Sequence, residues 1–388
     1  MCSVSSLLAP YLAMALSMGP GVDSQLDPAA RNEARVEALE RQMPIGPRTA
    51  KALGMRVQWR KPVDIDSIRA LYTSNGAVFL INTNNEVTML DLKDGRHKWV
   101  SFGGSASDLI IDVVYVPEQN KVLVIRTSSI LTLAGGTGLP MLNKATQSSV
   151  QPLDWLAATS GLIFRDTYIY GGLAGEIAWQ AWDLGFTSRA HRIGRRIVEP
   201  PVLAGGIVIA SSRDGALAAL DASNGMLLWS KKLLDQISGE PATSNRLVIV
   251  ASHDQHLRAM NATDGRVRWS RLFEQPLQAG PTLIGDAVYQ QVPKTGLVKL
   301  EALPPSAPEG VITWTAENVS GDVIAIAGEL LLTFDPIKNE LQTVSTRTGS
   351  VDATGRINNL SLMNAENDSL LLLGGSGELE CLATSGRH

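Results

Sequence analysis

The sequence predicts an all-β chain: an eight-bladed β-propeller of four-stranded antiparallel blades, closed by an N-terminal strand and preceded by a short helix. Three observations carry this expectation. Residues 214–233 (DGALAALDASNGMLLWSKKL) lie in register over 254–273 (DQHLRAMNATDGRVRWSRLF) and 85–103 (NEVTMLDLKDGRHKWVSFG). A turn, a strand ending near Leu-Asp, an Asp/Asn-Gly turn and a Trp strand therefore recur at a period of about forty residues, the mark of stacked β-units. Anchored on the Leu-Asp pair, eight copies run from Leu90-Asp91 through Leu133-Ala134, Trp182-Asp183, Leu220-Asp221, Met260-Asn261, Leu300-Glu301 and Val344-Ser345 to Leu382-Ala383. Finally, the eighth copy stops before its Trp strand, while residues 55–60 (MRVQWR) form a lone Trp strand with no preceding partners. A ring closes if that strand becomes the outermost strand of the last blade, which leaves no open radial edge.

Taken in order, the chain divides into residues 1–20, 21–54 and 55–388. Val4 to Met18 is apolar, with Ala13-Met14-Ala15 as a small-x-small pattern, and is read as a secretory targeting segment. Asp27-Pro28 opens a helix through about Gln42, with Pro at the first helical position and Glu37 four residues before Arg41. Only Val36, Leu39 and Met43 form an apolar stripe, so this helix should cling weakly to the ring or reach a partner. Pro44-Ile45-Gly46-Pro47 ends it and is read as the start of a linker to the closing strand.

The fourth copy shows how a blade is built. Strands at 201–203, 207–210, 216–220 and 226–229 are separated by Ala204-Gly205-Gly206, Arg213-Asp214-Gly215 and Ser223-Asn224-Gly225. Asp-Gly and Asn-Gly supply the positive φ that tight hairpins need, and aliphatic or β-branched residues fill the strands between them.

The pattern of Gly215, Leu217, Ala219-Leu220-Asp221, Gly225 and Trp229 resembles the pyrroloquinoline-quinone-type propeller repeat. The resemblance covers about residues 55–388 and is strongest in the fourth and fifth copies. It implies that Trp59, Trp99, Trp229, Trp269 and Trp314 pack between neighbouring blades. Asn143, Asp352 and the Arg189–Arg196 region stand where other copies would place that Trp. The family includes quinoprotein dehydrogenases and non-enzymatic outer-membrane assembly lipoproteins, and such motifs specify fold better than function. The chain is shorter than the dehydrogenases usually are and lacks their adjacent-cysteine pair. The expected function is a non-enzymatic, periplasmic or secreted cell-envelope scaffold that binds other proteins, with a role in outer-membrane protein assembly as its specific form. A ligand- or polymer-binding propeller is the alternative, and a quinoprotein oxidoreductase the third reading.

With 44% apolar and 19% charged residues and a net charge of −4, the 388-residue chain has the composition of one large globular ring. It carries no general basic field for nucleic acid, so the expected partners are proteins, any membrane association is indirect, and the ring is expected to be a monomer. The one local departure is Arg189, His191, Arg192, Arg195 and Arg196, five basic-type side chains within eight positions where the third copy loses its Trp. They are the candidate partner-binding residues; the competing account is that some guanidinium stems pack over a blade edge in place of the indole.

No catalytic, cofactor or metal site is expected. His253 and His256 fall at a turn where other copies read Ser-x-Asp-Gly, so their spacing is read as structural. The oxygen-rich segments at Asp221–Gly225 and Asn261–Gly265 recur once per blade without the distal carboxylate of a calcium loop. Cys2 and Cys381 form no disulfide framework once a targeting segment is removed, and with only Met1 before Cys2 lipidation is not expected.

Overall fold

The structure, a computed structural model, describes residues 27–384 apart from Lys144, Pro305 and Asn367. The stretch read as a targeting segment and Cys2 lie outside the described residues. Eight four-stranded antiparallel sheets follow one another around a ring. Seven are consecutive in sequence: blade 1, for example, pairs Ile68–Ser74, Ala77–Asn82, Glu86–Asp91 and His97–Phe102 in order. The eighth combines the two ends of the chain. Its outermost strand β1 (Met55–Pro62) pairs with Glu378–Thr384, placing Met55 opposite Thr384 and Trp59 opposite Cys381.

The register of β1 identifies it as a true fourth strand. Where the third and fourth strands of blades 1, 3, 4, 5, 6 and 7 pair, the ladder slips beside the Trp position, as between Met89 and Leu90 or Ala219 and Leu220. β1 slips at the same place, between Val57 and Trp59. Such a bulge bends and twists the strand, and here it recurs with the fold.

The core lies between blades rather than at the centre of the ring. Its eight apolar clusters correspond to the eight seams, for instance Ile249, Trp269, Val288 and Val298 between blades 5 and 6. At six seams an indole Nε1–H crosses to a carbonyl of the next blade. Trp59 reaches Leu92 (2.8 Å), Trp99 reaches Gly135 (2.8 Å), Trp179 reaches Ala222 (2.9 Å), Trp229 reaches Ala262 (2.7 Å), Trp269 reaches Ala302 (2.9 Å) and Trp314 reaches Thr346 (3.0 Å). The ring satisfies its one donor while burying its apolar faces. The repeat's glycine follows from the same contact: a Cβ on Gly265 would stand 2.7 Å from the Trp229 ring, and one on Gly95 2.6 Å from that of Trp59. Both glycines also have positive φ, so two constraints select the residue.

Three expectations need correction. The third copy does not lose its Trp function, because Trp179 on the third strand stands opposite Arg189 and supplies the indole from the neighbouring strand. Its anchor pair is Gln180-Ala181 rather than Trp182-Asp183, since Gly185 N–H donates to the Ala181 carbonyl just as Gly225 N–H donates to that of Asp221. In blade 7 the residue at the Trp position is Ala353, opposite Thr343, and not Asp352. Asn143 does stand in for an indole: its Nδ2–H donates to the carbonyls of Trp182 (3.1 Å) and Asp183 (2.6 Å) in blade 3.

The second seam that lacks a bridging indole, between blades 7 and 8, is filled from the N-terminus. Helix α1 (Pro28–Gln42) buries none of its residues, and Asp27 makes no side-chain cap. The stretch read as a linker contains a second helix, α2 (Pro47–Ala52), lodged against the outer strand of blade 7 and β1. Ile45 and Leu53 are fully buried beside Leu332, Ile357 and Leu370, with Ala353 packed against them. The Ile45 N–H donates to Glu380 Oε2 (2.9 Å), and the Arg60 guanidinium pairs with the same buried carboxylate. Burial raises the Glu380 pKa despite that neighbour. No helix among the described residues is long and apolar enough to cross a membrane.

Candidate protein-docking face

The antiparallel order of each blade puts two kinds of connection on one ring face: loops from an outer strand to the next inner strand, and turns between second and third strands. Backbone hydrogen bonds stitch them into a continuous belt over blades 2 to 5. Leu173 N–H donates to the Leu156 carbonyl (2.9 Å), Ile193 to Gly175 (3.0 Å), Arg213 to Arg196 (3.1 Å), Leu233 to Gly215 (2.9 Å) and His253 to Gln236 (3.0 Å).

The structure divides the basic cluster. Arg189, His191 and Arg192 belong to the outer strand of blade 3, Phe186–Arg192, whereas Arg195 and Arg196 lie in the loop beyond it. The Arg189 stem packs at the next blade's turn, where a Cβ on Gly225 would stand 2.5 Å from its Cδ. Arg189 thus shares the seam with Trp179, on the face opposite the belt, and His191 is half-buried. Arg192, Arg195 and Arg196 are exposed, and among the described residues no carboxylate forms an ion pair with them.

Asp214 fixes the loop's shape. It accepts from the Arg195 backbone N–H (3.1 Å), the Ser212 hydroxyl (2.5 Å) and the Lys232 ammonium (2.6 Å). The Lys232 hydrogen bond, followed by that of Ser212, holds its carboxyl well below the usual carboxylate range. The basic side chains are therefore presented by an anchored backbone.

Sequence reasoning missed the residues beside them. Exposed Arg213 joins through its backbone bond to Arg196. Trp155 (40% exposed), Leu156 (48%), Val198 (39%) and Leu234 (89%) occupy successive loops of the same belt. Trp155 is pinned by the Tyr170 hydroxyl, which donates to its carbonyl (2.7 Å). One signal was available: Trp155 falls outside the repeat's Trp position, which makes its indole surplus to blade packing. Exposed apolar side chains sharing a face with arginine are the composition of protein interfaces rather than of bare solvent-facing loops. Nearer the axis the face turns acidic. Glu199 and Glu240 both have carboxyl pKa values raised by burial, that of Glu240 also by the charge of Glu199.

The histidine pair is committed to its turn. His253 contacts Gln236 Nε2 (2.8 Å), and His256 Nδ1 bonds the Asp254 carbonyl (2.9 Å). Among the described residues no group of three His, Cys, Asp or Glu side chains is placed to hold a metal.

Comparison with known proteins places these features in context. Residues 169–357 match the profile of a family described as outer membrane protein assembly factor BamB. The chain is a propeller of PQQ-like repeats and resembles BamB. The outer membrane protein assembly factor BamB of Salmonella typhimurium strain LT2 is 26% identical over 167 residues, 41% of this chain and 39% of that protein. That of Escherichia coli strain K12 is 28% identical over 149 residues, 38% and 35% of the respective lengths. The aligned part thus spans well under half of each curated relative. Among solved structures, BamB from Moraxella catarrhalis superposes with a TM-score of 0.65 at 17% identity, covering 86% of this chain and 99% of that one. The computationally designed Ika8 protein superposes at 0.62 with 13% identity, covering 83% and 97%. A designed protein fitting nearly as well as a natural one shows that these two likenesses speak for the propeller fold alone.

Proposed function

We propose that this PQQ-like propeller is a non-enzymatic, periplasmic cell-envelope scaffold that docks other proteins, in the manner that the name of its BamB relatives implies for outer-membrane protein assembly. The observation that carries the reading is the belt itself. Arg192 at the end of its strand and Arg195, Arg196 and Arg213 on the stitched loops and turns, none of them in an ion pair, share this face with exposed Trp155, Leu156, Val198 and Leu234. Such a face fits an acidic protein surface with apolar side chains at its centre. The guanidinium groups steer and orient the partner, and the apolar residues provide the lasting contact.

The test is capture from an envelope extract with the ring as bait. The unaltered chain should recover outer-membrane assembly subunits. Changing Arg192, Arg195, Arg196 and Arg213 to Ser should weaken that capture and flatten its salt dependence while leaving the melting temperature unchanged, because exposed charges contribute little to folding. Capture by the variant equal to that of the parent at every salt concentration would remove this face as the docking site. Stoichiometric pyrroloquinoline quinone retained through desalting would favour an oxidoreductase instead.

A further inference from the structure

A cleft of about 420 Å³ opens on the outer rim between blades 1 and 2, its Arg126 end toward the same ring face as the docking belt. It exists because blade 2 departs furthest from the repeat. Residues 135–149 detour, and the outer strand that follows is only Val150–Pro152. The apolar walls include Val100 and Phe102 from blade 1 and Leu131, Leu139 and Val150 from blade 2. Phe102 is 64% exposed and Leu139 65%, so large apolar side chains face water together rather than singly.

One end of the cleft holds a cation that the fold does not saturate. Arg126 is buried, and its Nη1 lies 3.2 Å from Asp108 Oδ2, yet Nε and Nη2 have no hydrogen-bond partner. A guanidinium carries five donors, and leaving them unmade in a buried setting is costly. Gly104 lies against the paired side of this group: a Cβ there would stand 2.8 Å from both Arg126 Nη1 and Asp108 Oδ2, so the missing side chain leaves room for that ion pair at the cleft wall. The loop 103–109 closes that end, tied down by the Gly103 N–H to the Asn85 carbonyl (2.7 Å) and by Asn85 Nδ2 to the Asp108 carbonyl (2.7 Å).

We propose that this cleft binds the carboxyl-terminal end of an extended apolar polypeptide. The side chains of the last residues would lie on Phe102, Leu139 and Val150, and the terminal carboxylate would take the free donors of Arg126 in a charge-assisted pair. Because the loop blocks the Arg126 end, the ligand's chain stops there, which favours a terminal carboxylate over an internal Asp or Glu. A peptide is favoured over a fatty acid because His97–Phe102 is the outermost strand of its sheet, with an edge free to bond a backbone. This goes beyond the docking role proposed above and uses different residues.

The experiment is calorimetric titration of the full chain with acetyl-Val-Leu-Val-Phe, as the free acid and as its carboxyl-terminal amide. The acid should bind and the amide should bind about tenfold more weakly or worse, the expected effect of losing a charge-assisted contact. Arg126→Gln should abolish the difference, and Asp108→Asn should tighten the acid by removing the competing carboxylate. Because the acid and amide are compared on the unaltered protein, the test stands even if Arg126→Gln misfolds. The Arg-to-Ser variant of the docking face should bind the acid peptide unchanged. Equal affinity for acid and amide, no binding of either, or tighter binding of decanoate than of the peptide would overturn the proposal.

Discussion

Replacing Trp229 by alanine removes an indole that fills the seam between blades 4 and 5 and leaves the Ala262 carbonyl without its donor. The expected cost is about 3–5 kcal/mol, as for large-to-small changes at buried aromatic sites. Trp179→Ala should cost a similar amount, because that indole performs the same task from the adjacent strand. Arg189→Ala removes only an aliphatic stem from the edge of that seam and should cost about 1–2 kcal/mol. Urea denaturation of the three variants checks this ordering, and a Trp179→Ala cost no larger than that of Arg189→Ala would refute the exchange of roles between strands. Asp214 sets a pH dependence. Its folded pKa lies below the unfolded value of about 3.9, so its support of the loop is complete above that pH and is lost as pH falls through the folded value. Asp214→Asn should increase amide exchange at Arg195 near neutral pH, and the difference from the parent should shrink in strong acid.

At the scale of elements, α1 and α2 carry opposite expectations although they adjoin in sequence. α1 buries no residue, so removing residues 1–42 should lower the melting temperature only slightly. Removing 1–54 also takes Ile45, Ala50 and Leu53 out of the seam between blades 7 and 8, where Ala353 leaves a gap no other residue fills. That truncation should be strongly destabilising, by several kcal/mol for the apolar side chains lost, and it exposes Glu380 and Arg60 to a half-empty interface. Paired thermal melts of the two truncations check the assignment, and equal melting would show that α2 only decorates the ring. A cut after residue 45 is not neutral, since Ile45 is itself part of the core.

For the whole molecule, closure is the deciding contact. Deleting residues 1–62 removes β1 and turns Glu378–Thr384, a strand buried over most of its length, into a newly unpaired edge. The truncated chain should aggregate as well as lose stability, because an open edge templates pairing with other chains. Light scattering compared with the 1–54 truncation separates the two effects: aggregation confined to the loss of β1 supports edge exposure, and equal scattering from both truncations argues against it.

The number of blades, the four strands in each and the closing role of residues 55–60 were legible in the sequence, because glycine turns, Leu-Asp anchors and Trp strands recur with the period of the repeat and are local patterns. The same pattern located the indole strand without revealing what the indole meets. Trp179 escaped notice because the side chain that fills a seam can come from either of two neighbouring strands, and only the folded pairing places it opposite Arg189. The basic segment was visible as composition, but its division was not: a strand carries Arg189 to one face and a turn delivers Arg195 and Arg196 to the other, so proximity along the chain is not proximity in space. Trp155, Leu234 and Arg213 are more than twenty residues from one another or from Arg189 in sequence and meet only because successive loops share a face of the ring. The role of Ile45 and Leu53 belongs to the same class. Nothing near them in the sequence shows that blade 7, some three hundred residues later, lacks an indole, and only closure of the ring brings the vacancy and its filling together.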